Sequence, residues 1–287
     1  MSLKEILANA IKERWALPHF NISNEGMLRG IAEAAKELKS PVMIGTSEGE
    51  RKFIGDKQAV ALVKIFCEEY GMPLFLNADH SKSFESAKAA IDAGYESIHV
   101  DLSALPFEEN IKETKKVVEY AKSVNADISI EGEVGYLVTE SSKVYKEEIK
   151  VPKESLAKPE DAKRFVEETG VDRLAPAVGT LHGISANKPN IDFKRISEIR
   201  DSVDGVALVL HGGSGSSDEQ IREAIEAGIS NIHFSTELRT AYTSDLREFL
   251  LDYPEVTTPY KFIKPSIEAV KEICIEKIQL FGSVNKI

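Results

Sequence analysis

SIHVDLSALPFEENIKETKKVVEYAKSVNADISIEGEV, residues 97–134, spells out a strand, a helix and a second strand without interruption. SIHVDLS (97–103) is a short apolar run. EENIKETKKVVEYAKSV then places apolar residues three and four apart among charges, the pattern of an amphipathic helix, and ISIEGEV (128–134) returns to a buried strand. Two buried strands joined by a crossover helix pair in parallel. The same alternation extends to both sides. Before the unit stand ALPHFNI (16–22), PVMIGTS (41–47) and LFLNAD (74–79); after it stand RLAPAVG (173–179), ALVLHGG (207–213) and NIHFST (231–236). GMLRGIAEAAKEL and DEQIREAIEAG are further helical segments between them. Eight alternations in 287 residues predict an α/β protein, a single (β/α)8 barrel over residues 1–287. A doubly wound open sheet fits less well, because Phe20-Asn21-Ile22-Ser23 has no glycine-rich turn after the first strand. The polar stretch at about 135–160 predicts a lid-like loop after the fifth strand, and the chain ends in a helical tail.

Composition narrows the function. With 36 Lys+Arg against 47 Asp+Glu the net charge is −11, which argues against a nucleic-acid partner, since phosphate backbones are held by clustered cations. Cys67 and Cys274 sit in apolar helical patterns and are expected as core thiols, in a reducing, cytoplasmic setting. The first twenty residues are amphipathic and charged throughout, so neither a signal peptide nor a membrane span is expected there.

The unusual polar residues collect at the C-terminal ends of the predicted strands: Asn21, Ser47, Asp79-His80, Asp101, Glu133, Ser214 and Ser235-Thr236, with His182 and His211 beside them. In a barrel these ends form one face, the face on which active sites are built. Any one of them could merely cap the following helix, and for Ser47, Ser217 and Asp218 that reading is favoured. His80, His182 and His211 close strands three, six and seven, so three imidazoles would meet at the mouth and leave a fourth position open on a zinc ion. Asp79 could serve as acid and base beside such an ion, or could orient an imidazole. His99 is read as a deeper, structural residue. The turn Gly212-Gly213-Ser214 before a helix suits an anionic group, and matches neither a dinucleotide fingerprint nor a P-loop.

At these residues the sequence resembles the class II, zinc-dependent ketose-bisphosphate aldolases over nearly its whole length. The stretches that carry the resemblance are PHFNISN, SPVMIGTSEG, Asp79-His80 with SFESAKAAIDAGYESIHVDLSALPFEENI, EGEVG, ETGVDRLAPAVGTLHG, LVLHGGSG and the tail KPSIEAVKEICIEKIQLFGSVNK. The resemblance implies reversible cleavage of a ketose (bis)phosphate between C3 and C4, giving dihydroxyacetone phosphate and an aldehyde. It implies zinc or another divalent ion on His80, His182 and His211, Glu133 and Asp101 lining an alternative metal position, and a monovalent cation as a further ion. Asp79 would move the C4 hydroxyl proton, and Glu140 is the candidate base at C3. Ser47, Gly183, Gly212, Gly213, Ser214, His233, Ser235 and Thr236 would bind the phosphorylated sugar. A homodimer or homotetramer is implied as well.

This chain also departs from the family pattern. Ala186 stands where a lysine is usual and the nearest lysine is Lys188. His233-Phe234-Ser235-Thr236 replaces Asn-x-Asp/Asn-Thr, Thr258-Pro259-Tyr260 replaces Asp-Pro-Arg, and Val138-Thr139-Glu140-Ser141 replaces a glycine-rich lid. Ser81-Lys82 follows His80 in place of Gly-Ser. A cation for the second phosphate is therefore missing from the positions where the family carries it, which keeps open two alternatives: a metalloenzyme for a less phosphorylated substrate, and a non-catalytic sugar-phosphate-binding barrel.

Overall fold

The computed structural model describes residues 1–136, 139 and 143–287. Each of the eight apolar runs forms a strand: β1 (Leu17–Asn21), β2 (Val42–Ser47), β3 (Leu74–Ser81), β4 (Ser97–Val100), β5 (Ser129–Val134), β6 (Arg173–Pro176), β7 (Ala207–Leu210) and β8 (Ile229–Phe234). They pair in chain order and in parallel, and β8 returns to β1, so the sheet closes and the open-sheet alternative falls. Around it lie α1 (Leu3–Glu13), α2 (Glu25–Leu38), α3 (Glu48–Ile54), α4 (Asp56–Tyr70), α5 (Phe84–Ala93) and α6 (Phe107–Val124). The second half adds α7 (Pro159–Thr169), α8 (Phe193–Ser202), α9 (Asp218–Ala227), α10 (Thr236–Asp252), α11 (Pro259–Phe262) and α12 (Lys264–Leu280). Asn24, Ser47, Ser83 and Ser217 each accept a first-turn amide, which ends the strand-to-helix turns before α2, α3, α5 and α9. No described helix is long and apolar enough to cross a membrane.

Strand parity sorts the side chains into three environments. Outward residues such as Phe20, Ile44, Leu76, Ile98, Ile130, Leu174, Leu210 and Ile232 form the main core against the helices. At roughly 1.5–3 kcal/mol for each fully buried large side chain, this layer dominates stability. Inward residues at the N-terminal end, Leu17, Met43, Phe75 and Ala207, form a separate apolar plug with α1 and Trp15. The middle of the barrel is polar. There the fully buried Arg173 lies 2.5 Å from Glu131 and donates to Asn231 at 3.0 Å, Asn77 at 3.2 Å and Ser129 at 3.2 Å, and to Ser97. A guanidinium in this position is stable only because its donors are shared among side chains of four other strands.

The loop after β5 is tied down beyond its first residues. Tyr145 N–H donates to Ile184 O at 2.7 Å, Ile184 N–H to Lys143 O at 3.0 Å, and Ile149 N–H to the Asn187 side chain at 2.8 Å. The segment following His182 is thus held by the lid-like loop. The C-terminal tail packs α12 against α2 and α10 of the same chain, burying Val270, Cys274 and Ile278. Cys67 and Cys274 are free thiols, Cys67 half-buried and Cys274 buried.

Candidate active site

All six histidines of the chain meet inside the upper barrel. Ring centroids of His80 lie 4.8 Å from His182, 4.9 Å from His211 and 4.5 Å from His99; His211 lies 4.1 Å from His233, which stacks on His19 at 3.5 Å. The placement of His80 needs a local departure from strand geometry. Asp79 points inward with Asn77, so regular alternation would send His80 out among the helices. Instead β3 carries one extra residue against β4 between Ala78 and Ser81, and His80 takes φ of +49°, a left-handed conformation uncommon for histidine. Both side chains of the Asp79-His80 pair thereby reach the mouth.

Each of the three proposed metal-binding imidazoles has one nitrogen engaged by an oxygen. His80 Nδ1 is 2.9 Å from Asp101 Oδ2, His211 Nε2 is 2.7 Å from Glu131 Oε1, and His182 Nδ1 is 3.3 Å from Thr139 O. The opposite nitrogen of each is left for another partner, and His182 Nε2 is buried without one. This is the arrangement that orients imidazoles toward a metal ion. Burial, with His80 and His211 alongside, holds His182 well below the ordinary imidazole range, so it stays a neutral donor. Three nitrogen donors suit a divalent ion of zinc type, but among the described residues the groups whose ligand atoms lie within 4.8 Å of one another join His80 and His211 with Asp79 and His99 and leave out His182, whose ring centroid is 5.8 Å from that of His211.

Asp79 sits beside this set. Its Oδ2 accepts from Asn21 Nδ2 at 3.0 Å, while Oδ1 faces His233 Nδ1 at 3.3 Å, His99 Nδ1 at 3.6 Å and His80 Nε2 at 3.9 Å. Burial alone would raise the carboxyl, but His80, His233 and His99 outweigh it and hold Asp79 well below the usual carboxylate range. His99 is fully buried, as its deeper reading anticipated. Burial opposes its charged form and Glu131, Asp79 and Glu133 favour it, but the His80 amide donates to Nδ1 at 3.2 Å. That bond fits the neutral ring with its proton on Nε2, 3.3 Å from Glu133 Oε2. Asp101 and Glu133 share the Ser103 hydroxyl and gather with His80 in a group whose ligand atoms lie within 4.8 Å of one another.

A narrow cleft opens above these residues. It is lined by Asp79, His80, His182, Gly183, His211, Gly212, Gly213, Ser214, His233, Ser235 and Thr236 from the sequence-derived set, and also by Asn21 and Arg239. Gly212 has φ of +69°, and a Cβ there would lie 2.2 Å from Leu181 O, so the turn under the cavity requires glycine. The N-terminus of α10 faces the same space with no side-chain cap, and Ser235 Oγ is buried without a partner. Arg239, one turn into α10, reaches Glu50 Oε1 at 2.8 Å and keeps a buried, unpartnered Nε. Sequence reading passed over Arg239 because TELRTAY looks like an ordinary helix face; its distance of one turn from the Ser235-Thr236 helix start was the available signal.

Other candidates lie elsewhere. Ser47 caps α3, sharing its hydroxyl with Glu50, and does not line the cavity. Lys82 and Lys188 are exposed, and Tyr260 is 73% exposed on α11. Glu140, the candidate C3 base, falls outside the described residues.

A closed parallel barrel with an imidazole–carboxylate cluster at its C-terminal mouth defines a (β/α)8 protein built for metal-assisted chemistry. The family model for class II fructose-bisphosphate aldolases matches residues 1–286. A fructose-bisphosphate aldolase of Geobacillus stearothermophilus is 40% identical, over 100% of this chain and 98% of that protein. Among solved structures, the YdjI aldolase of Escherichia coli K12 superposes with a TM-score of 0.83 at 32% identity, covering 100% of this chain and 98% of that one. The fructose-bisphosphate aldolase of Campylobacter jejuni gives 0.84 at 21% identity over 100% and 96%, a likeness of fold. The chain belongs to the class II fructose-bisphosphate aldolase family, and it is an aldolase, a carbon–carbon lyase. Membership implies a divalent metal and a phosphorylated sugar substrate.

Proposed function

We propose that the protein cleaves a ketose 1,6-bisphosphate, with fructose-1,6-bisphosphate the first substrate to test, into dihydroxyacetone phosphate and glyceraldehyde 3-phosphate. The observation that carries this reading is the set of three imidazoles, each anchored through one nitrogen, gathered around a cavity that Asp79 also lines. His80, His182 and His211 would hold the divalent ion, for which zinc is the choice that suits three nitrogen donors. When bound, the ion supplies a positive charge that polarises the C2 carbonyl.

The chain's own residues do the rest. Asp79, ionised and held by Asn21, accepts the C4 hydroxyl proton as the C3–C4 bond breaks and its electron pair moves toward the carbonyl. The amides and hydroxyls around Gly212, Gly213, Ser214, Ser235 and Thr236 hold one phosphate, aided by the N-terminal end of α10. Arg239 supplies the cation for the second phosphate that the sequence lacks at Ala186 and Tyr260. Asp101 and Glu133 are proposed as the carboxylates of the alternative ion position. Two free thiols accord with a cytoplasmic setting, and an assembly of two or four copies accords with the family; sedimentation of the purified chain reads the latter.

The test is release of dihydroxyacetone phosphate from fructose-1,6-bisphosphate by zinc-loaded protein, with tagatose-1,6-bisphosphate and ketose 1-phosphates in the same panel. Activity is expected to vanish with chelator, to return with zinc, and to fall about a hundredfold or more in Asp79→Asn. Failure to cleave any member of the panel overturns the reading.

A further inference from the structure

We propose that His233 is the positioning residue for Asp79, its Nδ1–H holding Oδ1 while Asn21 holds Oδ2. This deepens the proposed function and rests on Asp79 as the proton acceptor. The contact stands at 3.3 Å between two buried atoms that have no other hydrogen-bond partner, and a small rotation closes it to a hydrogen bond.

Elimination identifies the donor. Three histidine nitrogens approach Asp79 Oδ1 within 4 Å. His99 Nδ1 already accepts the His80 amide and has no proton to give. His80 carries its proton on Nδ1, toward Asp101, and presents Nε2 to the cavity side. His233 remains. Its other nitrogen lies 3.7 Å from Glu131 Oε2, an oxygen already paired with Arg173, so the ring's proton is better used on Asp79. His19 fixes the plane of the His233 ring by stacking on it at 3.5 Å with the rings 3° from parallel. His19 is itself fixed: Asn77 turns its oxygen to Ser97 and Arg173, and so offers its amide to His19 Nε2 at 2.9 Å. Gly45 leaves room for that ring, since a Cβ there would sit 2.2 Å from His19 Cε1.

His19, Asp79 and His233 also lie close enough together to suggest a second ion. The stacking argues against it, because two parallel rings cannot both aim an in-plane lone pair at one ion between them.

The experiment compares two reactions of zinc-loaded protein. One is cleavage of fructose-1,6-bisphosphate. The other is exchange with deuterated water of the proton beside the carbonyl of dihydroxyacetone phosphate, which has no C4 hydroxyl for Asp79 to serve. In His233→Leu and His233→Gln, kcat for cleavage is expected to fall about ten- to a hundredfold, the usual worth of a hydrogen bond to a charged group. KM, exchange rate and zinc content should each stay within about threefold. His233→Asn, whose amide reaches the Nδ1 position, is expected to recover most of the lost kcat, whereas the Gln amide reaches the Nε2 position and is not. Parallel loss of exchange and cleavage overturns the proposal, as does a rise in KM at unchanged kcat or equal rescue by Gln and Asn; each leaves the aldolase reading standing. A wild-type protein that cleaves nothing overturns both.

Discussion

His211 Nε2 lies 2.7 Å from Glu131 Oε1, and the second oxygen of that carboxylate lies 2.5 Å from Arg173 Nη1. One buried carboxylate therefore orients a proposed metal-binding imidazole and neutralises the guanidinium in the middle of the barrel. The site and the polar layer beneath it are a single electrostatic unit.

Removing a carboxylate behind a metal-binding imidazole typically weakens metal affinity about ten- to a hundredfold. Asp101→Asn, which acts on His80 alone among the three imidazoles, is expected to show that loss in competition with a chromogenic chelator. Glu131→Gln is expected to match it through His211 and to lower stability as well.

Arg173→Met leaves Glu131 buried without its partner, and breaking a buried pair this way costs about 3–5 kcal/mol. Urea denaturation of metal-free protein should show a loss in that range. The double variant with Glu131→Gln should lose less than the sum of the two single changes, because the charges disappear together.

Arg239→Met tests the second phosphate. The expected result is a KM for fructose-1,6-bisphosphate raised about ten- to a hundredfold, with a change under about threefold for a ketose 1-phosphate, which lacks the group Arg239 would hold. Equal effects on both substrates would place Arg239 on the shared phosphate instead.

Burial pushes His19 down to about 4 from an ordinary 6.5, so the unfolded chain binds its proton at a pH where the folded chain does not. Stability from this residue is complete above about 6.5 and is lost as pH falls toward 4, by about 3 kcal/mol in all. Other buried groups also contribute in this window, His182 and His233 among them, but they are common to wild type and a His19 variant and cancel when the two are compared. His19→Gln, compared with wild type by denaturation of metal-free protein at pH 7 and pH 4.5, should therefore show the shallower pH dependence.

Much of the fold was legible in the chain. Each apolar run became a strand within a few residues of its expected limits, and the amphipathic segments became helices, because buried strands and half-buried helices impose local periods that need no knowledge of distant residues. Placing Asp79, His80, His182 and His211 on one face followed from strand ends sharing a face in a closed parallel barrel. The tertiary structure decided what those periods do not encode. The left-handed turn at His80 follows from the extra residue of β3 against β4, and the stacking of His19 on His233, the four-strand grip on Arg173 and the reach of Arg239 into the cleft depend on which strands the closed sheet brings face to face. Sequence period says that a side chain points inward. Only the closed sheet sets which other inward side chain it meets, and a hydrogen bond or an ion site is decided by that meeting.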